Sequence, residues 1–362
     1  MEPTLYRRPL PADTIAFSSP DGRQLFAEAL AAGGLDGYFP LAEQFHTQSD
    51  PAFCGLGSMV VALNALAIDP GRLWKGPWRW FAEDLLDCCV PLAEVRERGL
   101  NLDELTCLAR CNGAEVDLRR AETSELGSFR TALASASRGE TVVVVSYDRG
   151  AMGQTGGGHF SPIGGYHAKR DLALILDVAR FKYPPHWVSA ERLWRAMQPV
   201  DPATGRSRGW MALRRRAQGV ALGFTLRCEG DSWQGLAKRL TSIVKELETE
   251  TDLASLARAL VPLAAQLELR VPSAPAHQKG LADARAALRE LPSHRQVLEA
   301  VGSNQAESVT LLLLAIAELL TPAQRAGLLV LSSSDNRELA AELSNVRAQL
   351  GAVLRHAELG AQ

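Results

Sequence analysis

The chain has 362 residues, 46% hydrophobic and 22% charged, with a formal net charge of −2 and a pI near 6.4. This length predicts two domains with enough apolar material for real cores. The balanced charge excludes the basic footprint of a nucleic-acid or membrane-surface binder, and Arg214-Arg215-Arg216 reads as a solvated strand end. The stretch from Met1 to Arg8 lacks the apolar core of a secretory signal. The most hydrophobic run, Val309–Ala317, is broken by Glu318 and Pro322 and is too short for a bilayer. A cytoplasmic protein is therefore expected, with its six cysteines reduced. They then read as nucleophile, metal ligand or packing residues, not as a disulfide framework.

In chain order, an N-terminal arm leads to predicted helices over 24–32 and 54–67. Trp74–Trp80 (WKGPWRW) is an aromatic loop, and helical stretches follow over 81–88, 92–99 and 102–111. The run 141–147 (TVVVVSY) predicts a buried strand, and strands over 159–168 and 172–178 predict an antiparallel hairpin turning at Lys169-Arg170. From about Val220 the composition shifts to Ala, Leu, Glu and Arg at helical spacing, over 232–250, 253–269, 280–291, 308–320 and 335–359. Pro272, Pro275, Pro292 and Pro322 punctuate these helices. Domains over 1–218 and 219–362 are expected, the second all-α and without a catalytic constellation.

The chemistry concentrates in the first domain. Cys54 opens an amphipathic helix, where the positive end of the helix dipole favours a thiolate. Gln48 lies six residues upstream, where its side-chain amide could join the Cys54 backbone N–H in stabilising an oxyanion. His159 is approached and left through glycines, in GGGHFSPIGG. Asp177 sits in the apolar strand LILDV, where a carboxylate needs a partner: either His159 across the hairpin or Arg180 nearby. For His159 and Asp177 to share a face, the hairpin needs an odd loop or a bulge. Together these residues read as nucleophile, base, orienting acid and oxyanion donor of a cysteine acyl-transfer site.

At this point the residues resemble phytochelatin synthase, a papain-like family of glutathione γ-glutamylcysteinyltransferases. The shared stretches are TQSDPAFCG (47–55), LNALAIDPGRLWKGPWRWFAED (63–84), LDCC (86–89), HFSPIGGY (159–166) and LALILDVARFKYPPHW (172–187). The resemblance covers about residues 5–215 strongly and continues weakly through 224–240. It implies an α+β fold: a papain-like catalytic domain, part helical and part antiparallel sheet, followed by an all-α C-terminal domain. It implies a triad of Cys54, His159 and Asp177, with Gln48 as oxyanion donor. Glutathione and phytochelatins are the implied substrates, and glycine release is followed by γ-Glu-Cys transfer. Asp201 and Arg208 resemble the acid and base that clamp the γ-glutamyl end, and Arg180 could hold a substrate carboxylate.

No organic cofactor is expected. Cadmium, zinc or copper ions are implied as activators, or as the metal–glutathione thiolate that reacts. Cys107 and Cys111 share a helical face, and Cys88 and Cys89 are consecutive. Thiolates suit such soft ions, although packing is the more expected role for each of these cysteines. Only Cys228 lies in the second domain, which weighs against metal sensing there. Neither nucleic acid nor a membrane is an expected partner, and a homodimer is left open. The alternative on the same fold is a hydrolase trimming glycine from glutathione or its conjugates.

Overall fold

The computed structural model describes residues 7–70, 73–87, 90–216, 223–226, 238–243, 245, 252–269, 275–317 and 336–359. The chain divides into two compact units, one of residues 1–69, 80–86 and 92–215, the other of 70–79, 87–91 and 216–362.

The first unit is built on an antiparallel sheet of seven strands in the order β1-β6-β5-β4-β3-β9-β2. These are β1 (Ile15–Ala16), β2 (Ala114–Arg120), β3 (Val142–Asp148), β4 (Gly158–His167), β5 (Leu172–Ile175), β6 (His186–Ser189) and β9 (Gly209–Arg215). Between β6 and β9 lies the small hairpin of β7 (Val200–Asp201) and β8 (Arg206–Ser207). The valine run forms β3 because both its faces are covered. Val143, Val145 and Tyr147 join one core cluster with Phe129 and Leu133 of α6 (Leu126–Ser137) and Leu193 and Met197 of α7 (Ala190–Met197). Val142 and Val144 between them are also buried, and a continuous β-branched run suits such a site.

Helix α3 (Cys54–Ala65) is buried over every residue from Gly55 to Leu63 and packs along β4, β3 and α5 (Leu102–Cys111). A helix apolar all round belongs in a core. Truncating Leu56, Met59 or Leu63, each fully enclosed, would cost about 2–5 kcal/mol. Helix α5 begins in a capping box, with the Asn101 side chain accepting from the Glu104 N–H and Glu104 accepting from the Asn101 N–H.

The helix expected over 81–88 is only a 3-10 turn over Glu83–Leu85, and Cys88 and Cys89 lie outside the described residues. Local side chains compete for this backbone. Asn64 donates from Nδ2 to the Phe81 carbonyl (3.0 Å) and accepts the Phe81 N–H (3.1 Å). Glu83 turns to the Ser49 N–H and hydroxyl.

The second unit is helical over Leu253–Ala264, Pro275–Glu290, Pro292–Val301, Ala306–Ile316 and Arg337–Leu359. It also has a two-stranded ladder of β10 (Phe224–Leu226) and β11 (Leu267–Leu269). The helix expected to reach Leu269 thus stops at Ala264, and the chain reverses into β11. Of the helix expected over 232–250, residues 238–243 and 245 are helical, and the remainder lies outside the described residues. Among the described residues no helix is long and apolar enough to cross a membrane.

Candidate active site

Hairpin register brings the expected triad together. Strand β5 pairs with β4 as Gly165↔Leu174 and then Ile163↔Ile175, so Gly164 is an extra residue on β4. That bulge shifts the pairing by one, placing Asp177 on the face of His159 instead of the opposite one. His159 Nε2 meets Asp177 Oδ1 at 2.9 Å. The other ring nitrogen does not meet Asp177, and the His159 ring is near enough to Cys54 for its charge to act on the thiol. Cys54 itself is half-buried, while His159 and Asp177 are buried.

Charge follows from this order. Burial pushes the Cys54 thiol up, but the charge of His159, with help from the Phe160 backbone and Arg149, outweighs it and sets the thiol below its ordinary value. Burial pulls the His159 imidazole down, but Asp177 and the Cys54 thiolate raise it above its ordinary value against the opposing charge of Arg149. Burial disfavours the Asp177 anion, yet His159 and Arg149 hold its carboxyl well below the usual carboxylate range. These directions favour a thiolate–imidazolium pair at neutral pH.

The helix start adds to this. Phe53 caps α3 without a side-chain hydrogen bond, and the first amides of a helix have no intrahelical acceptor. The Cys54 N–H therefore stands where an oxyanion could be received. Gln48 is anchored through its own N–H, which donates to the Val178 carbonyl (3.0 Å). Its side-chain nitrogen, however, donates to the Asp50 (2.8 Å) and Pro51 (2.9 Å) carbonyls, and its Oε1 is buried without a partner.

Cys54 and His159 open on a cavity of about 890 Å³ that Asp201 and Arg208 also line, together with Asp148 and Arg149. Arg208 donates from Nη1 to the Pro199 (3.0 Å) and Val200 (3.3 Å) carbonyls, and its Nη2 lies 3.7 Å from Asp148 Oδ2. Asp201 Oδ1 accepts the Ala203 N–H at 3.1 Å, which shapes the β7–β8 turn. Arg180 is not among the residues lining this cavity. It donates from Nε to Thr47 Oγ1 (2.9 Å) and lies over the Phe45 ring.

The cation on Asp177 is therefore not Arg180. It is Arg149, whose Nη2 reaches both carboxylate oxygens at 3.0 and 2.9 Å. Asp177 Oδ1 also accepts the Ala179 N–H (2.9 Å), and this turn sends Arg180 elsewhere. Sequence reasoning missed Arg149; the only signal was an arginine directly after the buried valine strand. The missed Asp148 likewise ends that strand.

Cys107 and Cys111 are buried with their sulfurs 3.9 Å apart. Among the described residues no group of three or more His, Cys, Asp or Glu side chains could hold a metal ion.

An α+β scaffold that sets a thiol at a helix start near a sheet-borne His, itself bonded to an Asp two residues past β5, is the arrangement of the class of cysteine-nucleophile proteins. The family model described as Phytochelatin synthase matches residues 5–210. Glutathione gamma-glutamylcysteinyltransferase 3 of Lotus japonicus is 49% identical over 251 residues, covering 69% of this chain and 52% of the relative. Glutathione gamma-glutamylcysteinyltransferase 1 of Arabidopsis thaliana is 51% identical over 246 residues, covering 67% and 51%. Glutathione gamma-glutamylcysteinyltransferase of Schizosaccharomyces pombe is 39% identical over 258 residues, covering 71% and 62%. The chain spans about half the length of the two plant relatives. With more than half of its residues matched by the family model, it belongs to the phytochelatin synthase family.

Proposed function

We propose that the chain is a glutathione γ-glutamylcysteinyltransferase that makes phytochelatins. The Cys54 thiolate attacks the carbonyl carbon of the Cys–Gly bond of glutathione. His159 gives its proton to the glycine nitrogen as the C–N bond breaks, and glycine leaves a γ-Glu-Cys thioester on Cys54. The amine of a second glutathione or of a phytochelatin then attacks the thioester. Its proton passes to His159, a peptide bond forms and the Cys54 thiolate is released. Asp177 keeps the imidazole oriented throughout.

The Cys54 backbone N–H is the first oxyanion donor, and Gln48 joins it by turning its amide away from one of its two backbone acceptors. Asp201 and Arg208 hold the α-amine and α-carboxylate of the γ-glutamyl group. Arg180 supports the loop that carries Gln48 through Thr47. Cadmium, zinc or copper enters as a thiolate complex of glutathione, hence as substrate. The chemistry needs no organic cofactor and suits a reducing cytoplasm.

The observation that carries this reading is His159, bonded to Asp177 and coupled by charge to Cys54, with Cys54 and His159 opening on a cavity that Asp201 and Arg208 also line. The test is incubation with glutathione and Cd²⁺ followed by mass spectrometry of the thiol products. Phytochelatin is expected to appear with free glycine, and Cys54→Ser and His159→Ala are each expected to abolish both. Production of γ-Glu-Cys and glycine alone would instead identify a hydrolase.

A further inference from the structure

Behind the triad lies a second chain of buried polar groups that the proposed transfer chemistry does not use. Arg149 continues from β3 into the turn before β4, its N–H donating to the Gly157 carbonyl (2.9 Å). Its Nη2 shares the Asp177 carboxylate with His159, and its Nη1 donates to Gln154 Oε1 at 2.5 Å. Gln154 in turn faces His186 of β6, with Nε2 to Nε2 at 3.3 Å. His186 Nδ1 lies 2.9 Å from the Pro184 carbonyl. A carbonyl only accepts, so the His186 proton sits on Nδ1, and its Nε2 accepts from the Gln154 amide. Burial holds the His186 imidazole in that neutral form. Every member is at most 5% exposed: Arg149 3%, Gln154 5%, His186 0% and Asp177 0%.

We propose that Arg149 is a positioning residue of the triad, taking half of the Asp177 carboxylate so that His159 keeps a proton it can still give up, and that Gln154 and His186 hold it there.

The argument is one of charge and geometry. A thiolate, an imidazolium and a carboxylate buried together carry one net negative charge, and an unbalanced buried charge is costly. Arg149 makes the array alternate and sum to zero. It also limits the pull of Asp177. A lone buried carboxylate would hold the imidazolium too firmly to protonate a leaving amine, whereas one shared with a guanidinium holds it less. The other groups facing this pair do not replace Arg149. Tyr147 lies edge-on to the His159 ring, the Tyr183 ring lies under the guanidinium, and burial holds the Tyr147 phenol up, in its neutral form. Lys182 is a second cation, and it donates to the Thr155 carbonyl instead.

This inference rests on the reading of Cys54 as nucleophile. Its test is the pH profile of Cys54 alkylation by iodoacetamide in the full chain, together with kcat and KM for glutathione and a melting curve for each variant. The native chain is expected to alkylate below the free-thiol range, with a second change where His159 loses its proton. Arg149→Met should move both changes to higher pH, the His159 one by a unit or more, which is tenfold in proton concentration. Arg149→Lys should restore most of that position. Gln154→Leu should shift the profile the same way by less and lower kcat with KM little changed. His186→Gln, whose amide oxygen can still accept from Gln154, should behave as the native chain, whereas His186→Phe should follow Gln154→Leu.

A native profile with no low-pH reactivity would overturn both this inference and the proposed function. Low-pH reactivity in the native chain with an unmoved profile in folded Arg149→Met would overturn this inference alone. So would a raised KM at an unmoved profile, which would make Arg149 a substrate ligand.

Discussion

Arg208 shows how a side chain can be both anchored and available. Two backbone carbonyls fix its Nη1, while its body lines the cavity that Cys54 also lines. A pre-fixed guanidinium loses little freedom on gripping a carboxylate, which suits a clamp. Removing it should therefore cost binding specific to the γ-glutamyl end. Arg208→Ala and Asp201→Ala are each expected to weaken acylation by glutathione by on the order of 1.5–3 kcal/mol, the range for hydrogen bonds to charged groups. The check is competition between γ-Glu and α-Glu analogues in single-turnover glycine release. Equal loss for both analogues would show that the substitutions only loosened the β7–β8 turn. At this scale the sequence was partly legible. Cys54, His159 and Asp177 each had a local signature in helix start, glycines or apolar strand. Arg149 had only its place after a buried strand, because its role depends on strand pairing that brings it to a carboxylate 28 residues away. The choice of Arg180 as alternative partner for Asp177 failed for the same reason, since nearness in sequence does not survive the turn after Asp177.

Among elements, the β4–β5 hairpin decides whether the site exists. A Cβ on Gly164 would lie 2.9–3.0 Å from the Cγ, Cδ1 and Cδ2 of Leu176, whose side chain is buried and precedes Asp177. Gly164→Ala is therefore expected to destabilise the chain by about 1–3 kcal/mol through overpacking. It should lower kcat more than it raises KM, because the displaced residue adjoins the group that orients His159. Thermal melts with steady-state kinetics would test this, and an unaltered kcat would separate the bulge from the chemistry. The strands of this hairpin and helices α3 and α5 were readable from apolar runs and periodicity, but the bulge was not, since nothing in IGGY fixes which glycine is extra. Strand β2 was also missed. It lies at the sheet edge, where charged residues alternate with partly covered ones, so no apolar run announces it.

A different contact between elements governs the helical unit. Glu342, on the helix Arg337–Leu359, accepts the Gly223 (2.6 Å) and Phe224 (3.2 Å) N–H groups while fully buried. Burial pushes its carboxyl up to about 7 from an ordinary 4.5. Between those values the folded chain binds a proton that the unfolded chain lacks. The stabilisation is thus full below about 4.5 and is lost as the pH rises through about 7. A loss of at most about 1.4 kcal/mol per pH unit is expected across that window. Denaturant titrations at several pH values should find it in the native chain and find it flattened in Glu342→Gln.

For the whole molecule, the question is what the second unit contributes. Every residue lining the cavity and every member of the triad belongs to the first unit, which has its own sheet and core. Under the proposed mechanism, forming the thioester is therefore expected to need nothing from 216–362. Choosing its fate is harder. Water stands at roughly tens of molar and glutathione in a cell at roughly millimolar, so transfer wins only if an acceptor is held beside the thioester, where placement is worth up to about 10⁵–10⁸ M. The second unit is expected to supply that placement in a chain that transfers. Cutting the chain after Gln218 is expected to preserve glycine release and low-pH alkylation of Cys54 while lowering the ratio of phytochelatin to γ-Glu-Cys. Segments 70–79 and 87–91 group with the second unit, so the shortened chain should also melt earlier, and its assays belong below that temperature. An unchanged product ratio would assign acceptor binding wholly to the first unit. Loss of glycine release from a shortened chain that still melts cooperatively would show that the two units act as one catalyst.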